Sequence, residues 1–124
     1  GRCESKTDPI MGFPGHVAPN DLLFYQGDQF PEEYRGGAFV AFNGSWNRAP
    51  LPQEGYYIVN VPFDGELPSG DWSVFADGFS GLDEVKNPGD ARRRPTGLAI
   101  GPDGSLYVSD SRQGTIWKIV YEGK

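Results

Sequence analysis

Glycine and proline punctuate this chain so densely that little besides short strands can fit between them. Eighteen Gly and eleven Pro fall among 124 residues, and one or the other interrupts nearly every stretch. No window keeps apolar residues at i, i+3, i+4 and i+7 for three turns, so the helical period is absent. Strand-like runs recur instead. They are expected near Asp21–Gln26, Ala38–Asn43, Gly55–Phe63, Ser73–Gly78, Thr96–Gly101, Ser105–Asp110 and Gly114–Tyr121. Asp64-Gly65 and Asp103-Gly104 carry the signal for tight reversals, where glycine supplies positive φ. Aromatic side chains scattered among the β-branched runs exclude disorder as the reason for the glycine and proline content.

The runs fall into two groups, four within Asp21–Gly78 and three within Thr96–Tyr121. Four antiparallel strands in meander order make a propeller blade. The expectation is an all-β chain with one complete four-stranded blade and a three-stranded partial blade. A small meander or half-barrel of unrelated strands is the alternative. Residues 1–14 read as an irregular leading segment and 15–124 as a single body. The chain opens without an initiator Met, which predicts a piece of a longer protein. In a closed propeller a strand from the other end of the chain would then complete the last blade.

Eleven basic against seventeen acidic side chains give a net charge of −6. That argues against nucleic acid and anionic membrane surfaces, both of which need a basic face. There is no apolar run of membrane-spanning length. The single cysteine, Cys3, lies in a polar stretch with no His or Cys beside it and reads as a free thiol. Zinc, P-loop, dinucleotide and Ser-His-Asp signatures are absent from the sequence.

Several segments occur here in one order: Gly15-His16-Val17-Ala18-Pro19, Leu23-Phe24-Tyr25, Gly44-Ser45-Trp46-Asn47-Arg48, Gly55-Tyr56, Arg94-Pro95-Thr96-Gly97 and Pro102-Asp103-Gly104-Ser105-Leu106-Tyr107. This order resembles the C-terminal third of the glucose/sorbosone dehydrogenase family, from Pro9 onward. The resemblance implies a six-bladed propeller that uses pyrroloquinoline quinone (PQQ) with calcium. It also implies a periplasmic or secreted location, a sugar or aldehyde substrate and an electron acceptor. The calcium ligands and the histidine base that takes the sugar proton would lie on earlier blades, so no catalytic residue and no metal ligand is assigned here. One position departs from the pattern: Asn43 stands where the nearest branch often has His before Gly-Ser-Trp-Asn-Arg.

Connectivity gives a separate argument. In a meander, alternate links share an end. His16 at the entry to the first strand, Arg48 in the second-to-third link, Arg94 at the entry to the next unit and Asp110 should therefore gather at one rim. Asp64 and Asp103 should lie at the other. Arginine offers a rigid fork for the carboxylates of an anionic quinone. By the resemblance, Arg94, then Arg48, are the candidate carboxylate contacts, and His16 a hydrogen-bonding one. Each has a plainer reading. Arg92-Arg93-Arg94 could be a solvated basic loop, Arg48 could pair with Glu54, and His16 could be structural. Trp46 reads as packing ahead of a stacking platform for the quinone.

Three functions follow. The first is the C-terminal part of a PQQ-dependent dehydrogenase for an aldose or aldehyde such as glucose or sorbosone, inactive without the remaining blades. The second is a propeller module that binds a partner or glycan without redox chemistry. The third is a two-blade unit that closes a six-bladed ring as a trimer.

Overall fold

The computed structural model describes residues 1–123, and it is built from nine β-strands with only two short 3-10 turns, Glu32–Tyr34 and Pro88–Asp90. Strands β1 (Pro19–Phe24), β2 (Ala38–Phe42), β3 (Tyr57–Val61) and β6 (Ser73–Ala76) form an antiparallel sheet in that order. Strands β7 (Pro95–Ile100), β8 (Leu106–Asp110) and β9 (Ile116–Ile119) form a three-stranded one. A two-stranded hairpin, β4 (Phe63–Asp64) and β5 (Leu67–Pro68), turns at Gly65. All seven expected runs carry strands, most with slightly trimmed ends, except that β1 begins earlier, at Pro19, and β7 at Pro95. The hairpin was not expected as strand: the sequence marked its turn, but two residues on each side are too few to show alternation.

The first sheet is the middle layer. Its β2 is buried along its whole length, which explains why Ala38-Phe39-Val40-Ala41-Phe42 is an unbroken apolar run rather than an alternating one. Phe39, Ala41 and Ile58 face the second sheet and pack with Tyr25, Phe30, Leu106 and Val108. Ala38, Val40, Phe42, Val59 and Val61 face the other way. Residues 1–14 contain no strand, yet Met11 and Phe13 cover part of that second face, with Phe13 edge-on to Phe42 at 4.9 Å.

Polar ties hold the two sheets in register at both ends. The Tyr25 hydroxyl donates to the Gly104 carbonyl at 2.7 Å and accepts from the Phe30 N–H. Asp21 accepts from the Leu98 N–H at 2.8 Å, and Gln29 donates to the Asp103 carbonyl. Asn43 donates to Thr96 Oγ1 at 2.9 Å and to Ser111 Oγ at 3.2 Å. The β1–β2 link therefore meets the β7–β8 link at one end, and the β2–β3 link meets the start of β7 at the other. No helix among the described residues is long and apolar enough to cross a membrane.

Candidate functional site

At the end where β1 and β7 begin, the chain adopts backbone that L-residues avoid. His16, Ala18 and Tyr56 have φ of 67°, 57° and 63°, and Gly44 and Gly55 have 96° and 101°. Non-glycine residues at positive φ cost roughly 1–3 kcal/mol each and persist where the surroundings hold them there. Here the hold is visible. Asn43 N–H donates to the Ala18 carbonyl at 2.9 Å and Gly44 N–H to the Val17 carbonyl at 3.1 Å, so the entry to β1 is stitched to the end of β2.

The Gly44–Glu54 link is held from beneath. Ser45, fully buried, donates from its hydroxyl to Gln53 Oε1 and accepts from the Glu54 N–H, and its own N–H donates to the Glu54 carbonyl at 2.7 Å. The Tyr56 hydroxyl donates to the Ser45 carbonyl at 2.8 Å. Arg94 reaches in from the second sheet. Its guanidinium donates to the carbonyls of Gly44 and Pro88, each at 2.8 Å, and to those of Asn43 and Ser45 at longer range, and it lies 5.0 Å from the centre of the Tyr56 ring.

The three residues expected at a cofactor site thus sit on segments at one end of the sheets, and their side chains differ in what remains free. His16 is exposed and makes no hydrogen bond among the described residues. Arg48 pairs with Glu54 through Nη1, which leaves its Nε and Nη2 without partners among the described residues. Arg94 is engaged on four carbonyls, so neither a solvated loop nor a free fork describes it. Trp46 corrects the sequence reading: it is not packed, being 74% exposed. With His16, Ala18 and Asn47 it lines a cavity of about 160 Å³. Asn43 directs its amide into the inter-sheet tie rather than toward that cavity. The Tyr57 hydroxyl is buried without a partner beside the Arg48–Glu54 pair. Burial, then the Glu54 charge, pushes it up from its ordinary value, against the opposing effect of Arg48.

Asp110 closes β8 at this end. Its carboxylate accepts the N–H groups of Arg94, Gln113 and Arg112 at 2.6, 2.7 and 3.1 Å. Burial pushes this carboxyl up, but the N–H donors outweigh it and hold it below the usual value. A carboxyl lowered in the folded state contributes stability above its unfolded value of about 3.9 and loses it as the pH falls through the folded value. Unfolding free energy measured from pH 7 down to pH 2 should therefore decline below about pH 4. Asp110→Asn should be less stable at neutral pH and show a shallower acid decline. Sequence reasoning placed Asp110 at this rim but missed its use as a staple, because nothing in Tyr107-Val108-Ser109-Asp110 says which N–H groups will fold back on it.

Asp103, in the β7–β8 link at the far end, bonds to Lys118 Nζ at 2.8 Å and to Ser105, which keeps its carboxyl well below the ordinary range. No group of three or more His, Cys, Asp or Glu that could hold a metal occurs among the described residues.

A family model described as TrAA12-like matches residues 1–122. A pyrroloquinoline quinone-dependent pyranose dehydrogenase from Coprinopsis cinerea is 34% identical over 125 residues, covering 90% of this chain and 16% of that protein. An uncharacterized protein from Borreliella burgdorferi is 34% identical over 115 residues, covering 91% of this chain and 28% of its own length. Among solved structures, the iodide and calcium structures of the Trichoderma reesei carbohydrate-active enzyme family AA12 superpose with a TM-score of 0.72 at 25% identity. They cover 92% of this chain and 27% of theirs. The chain therefore spans between about a sixth and a little over a quarter of the length of these relatives.

Proposed function

The chain belongs to the TrAA12-like family, and from that premise we propose that it is the part of a PQQ-dependent dehydrogenase that closes one side of the cofactor site. The substrate class is a pyranose or related aldehyde, with glucose and sorbosone as the first to try. The observation that carries this reading is the placement of His16, Arg48 and Trp46 on segments at one end of two packed antiparallel sheets, where His16 and Trp46 line one cavity and His16 is held at positive φ. PQQ, when bound, supplies the two-electron acceptor for an alcohol or hemiacetal carbon. The residues here fit a share of its contacts. His16 offers an imidazole with no internal partner, and Arg48 retains two unpaired donors for a carboxylate. Arg94 fits an indirect share: bound to four carbonyls, it fixes the link that carries Arg48 and Trp46. The general base, the calcium ligands and the site for an electron acceptor belong to other parts of the parent protein in this reading, and the location is periplasmic or secreted.

The sheets themselves are proposed to be consecutive blades of a six-bladed ring. Two features support this. The first sheet packs a second sheet on one face and keeps a further apolar face, where Leu22, Val40, Val61 and Phe63 line a groove beneath Pro9–Met11. The outer edge of β9 has no partner strand among the described residues, and a cavity of about 560 Å³ lies between it and Ala76–Gly81. A fourth strand paired there would make the second sheet match the first. The remaining blades of the parent chain are the partners this implies.

A second reading, a propeller module that binds a glycan or protein without redox chemistry, is favoured by one observation: Asn43 and Arg94 are both bound internally. The full-length protein incubated with PQQ and calcium should reduce an artificial dye in the presence of D-glucose or another aldopyranose. Absence of PQQ binding by absorbance titration, together with no dye reduction by any aldose, would favour the module.

A further inference from the structure

We propose that Trp46 is the platform on which the substrate's pyranose ring stacks, with Asn47 and His16 reading ring hydroxyls beside it. The proposal rests on the oxidoreductase reading above and names its sugar subsite.

Trp46 is the most exposed large apolar side chain among the described residues. The other two tryptophans pack, Trp72 against Phe13 and Tyr57, and Trp117 against Phe79. An indole left in solvent on an ordinary flexible loop would carry little meaning. This one stands on backbone fixed at the residue before it: the Ser45 carbonyl takes the Tyr56 hydroxyl, the Ser45 side chain bridges Gln53 and Glu54, and the Gly44 carbonyl takes Arg94. Fixing the support in advance lowers the entropy cost when a ligand settles on the ring.

Size and chemistry then select the ligand. The cavity beside Trp46 is about 160 Å³, well under the ~300–1,000 Å³ of a complete ligand pocket. The part lined by this chain is about the size of a single ring. Its lining is His16, Ala18, Trp46 and Asn47, with no Arg or Lys among them. A tricarboxylate calls for cations, and neither Arg48 nor Arg94 lines this cavity. A carboxamide both donates and accepts, as does a neutral imidazole, and so does every sugar hydroxyl. The apolar C–H face of a pyranose matches the electron-rich face of an indole. An aromatic face flanked by an amide and an imidazole that can hydrogen-bond hydroxyls is the arrangement a sugar ring requires.

The test uses the full-length protein loaded with PQQ and calcium, D-glucose as the probe, and the variants Trp46→Ala and Trp46→Phe. Stacking of this kind translates into roughly three- to tenfold in affinity. Trp46→Ala should raise KM for D-glucose by that factor, with a larger effect on KM than on kcat, while the Kd for PQQ changes less than about twofold. Trp46→Phe, which keeps an aromatic face, should recover most of the loss. A KM within about twofold of wild type for Trp46→Ala overturns the proposal, as does a PQQ Kd that rises in step with KM, which would make Trp46 a cofactor contact. If the wild-type protein reduces no dye, the oxidoreductase reading fails by itself. The sugar subsite is then judged by saturation-transfer NMR with D-glucose. Transfer present in wild type and abolished in Trp46→Ala supports it, and equal or absent transfer overturns it.

Discussion

Arg94→Ala is expected to lower the unfolding free energy by about 3 kcal/mol, because it removes two short charge-assisted hydrogen bonds and a cation–π interaction at once. The guanidinium donates to the Gly44 and Pro88 carbonyls at 2.8 Å and stacks over Tyr56. Hydrogen bonds from charged donors contribute ~1.5–3 kcal/mol each in well-buried settings. Arg94 is half-buried, so water can replace part of what alanine removes, and the expected loss sits at the low end of the sum. Arg94→Lys should recover less than half, because one ammonium cannot span carbonyls that lie on two different links. The loss should also be local: hydrogen exchange at Ser45 and Glu54, whose N–H groups bond within this link, and at Tyr56, whose N–H donates to the Phe42 carbonyl beside it, should accelerate more than exchange in β8. Urea denaturation of the three proteins measures the first effect. A loss for Arg94→Ala below about 0.5 kcal/mol, the range of an ordinary surface substitution, would mean the clamp does not hold the link.

Much of this architecture is readable in the sequence, and the reason is covalent. Asp-Gly turns and short β-branched or aromatic runs act through neighbours in the chain, so the seven longer strands and the antiparallel meander order could be placed from residues alone. The shared end of His16, Arg48 and Arg94 follows from connectivity in the same way. What each side chain does there could not be read, because it depends on groups far off in sequence. Asn43 and Thr96 meet across fifty-three positions, and Arg94 meets Gly44 across fifty. A sequence shows that an arginine stands at the rim, but not that four carbonyls have turned toward it. Trp46 went the other way. Indole is large and apolar, so packing was the ordinary expectation, and only the fixed geometry of Ser45 beneath it shows a ring left facing solvent. The β4–β5 hairpin and the capping of the second face by Met11 and Phe13 escaped for a third reason, since neither has a periodic pattern to detect.

Gly44→Ala should be the most damaging single substitution in the rim, destabilising by about 4 kcal/mol or more. A Cβ built at Gly44 would lie 2.1 Å from Tyr56 Cε1 and 2.2 Å from Cδ1, far inside van der Waals range. The ring cannot step aside cheaply. Its hydroxyl is tied to the Ser45 carbonyl and Arg94 stands over it, so moving it breaks the network that fixes the link. The φ of 96° at Gly44 adds a further penalty for any L side chain. Gly65 separates the two contributions. Its φ is 65°, and a Cβ there meets nothing within 4 Å, so Gly65→Ala carries the conformational penalty alone, roughly 1 kcal/mol. Thermal or urea unfolding of both variants gives the difference directly. A gap of about 3 kcal/mol between them assigns the larger effect to the Tyr56 clash. If Gly44→Ala proves as mild as Gly65→Ala, the ring has room to move, and the rim that presents Trp46 is softer than its hydrogen bonds imply.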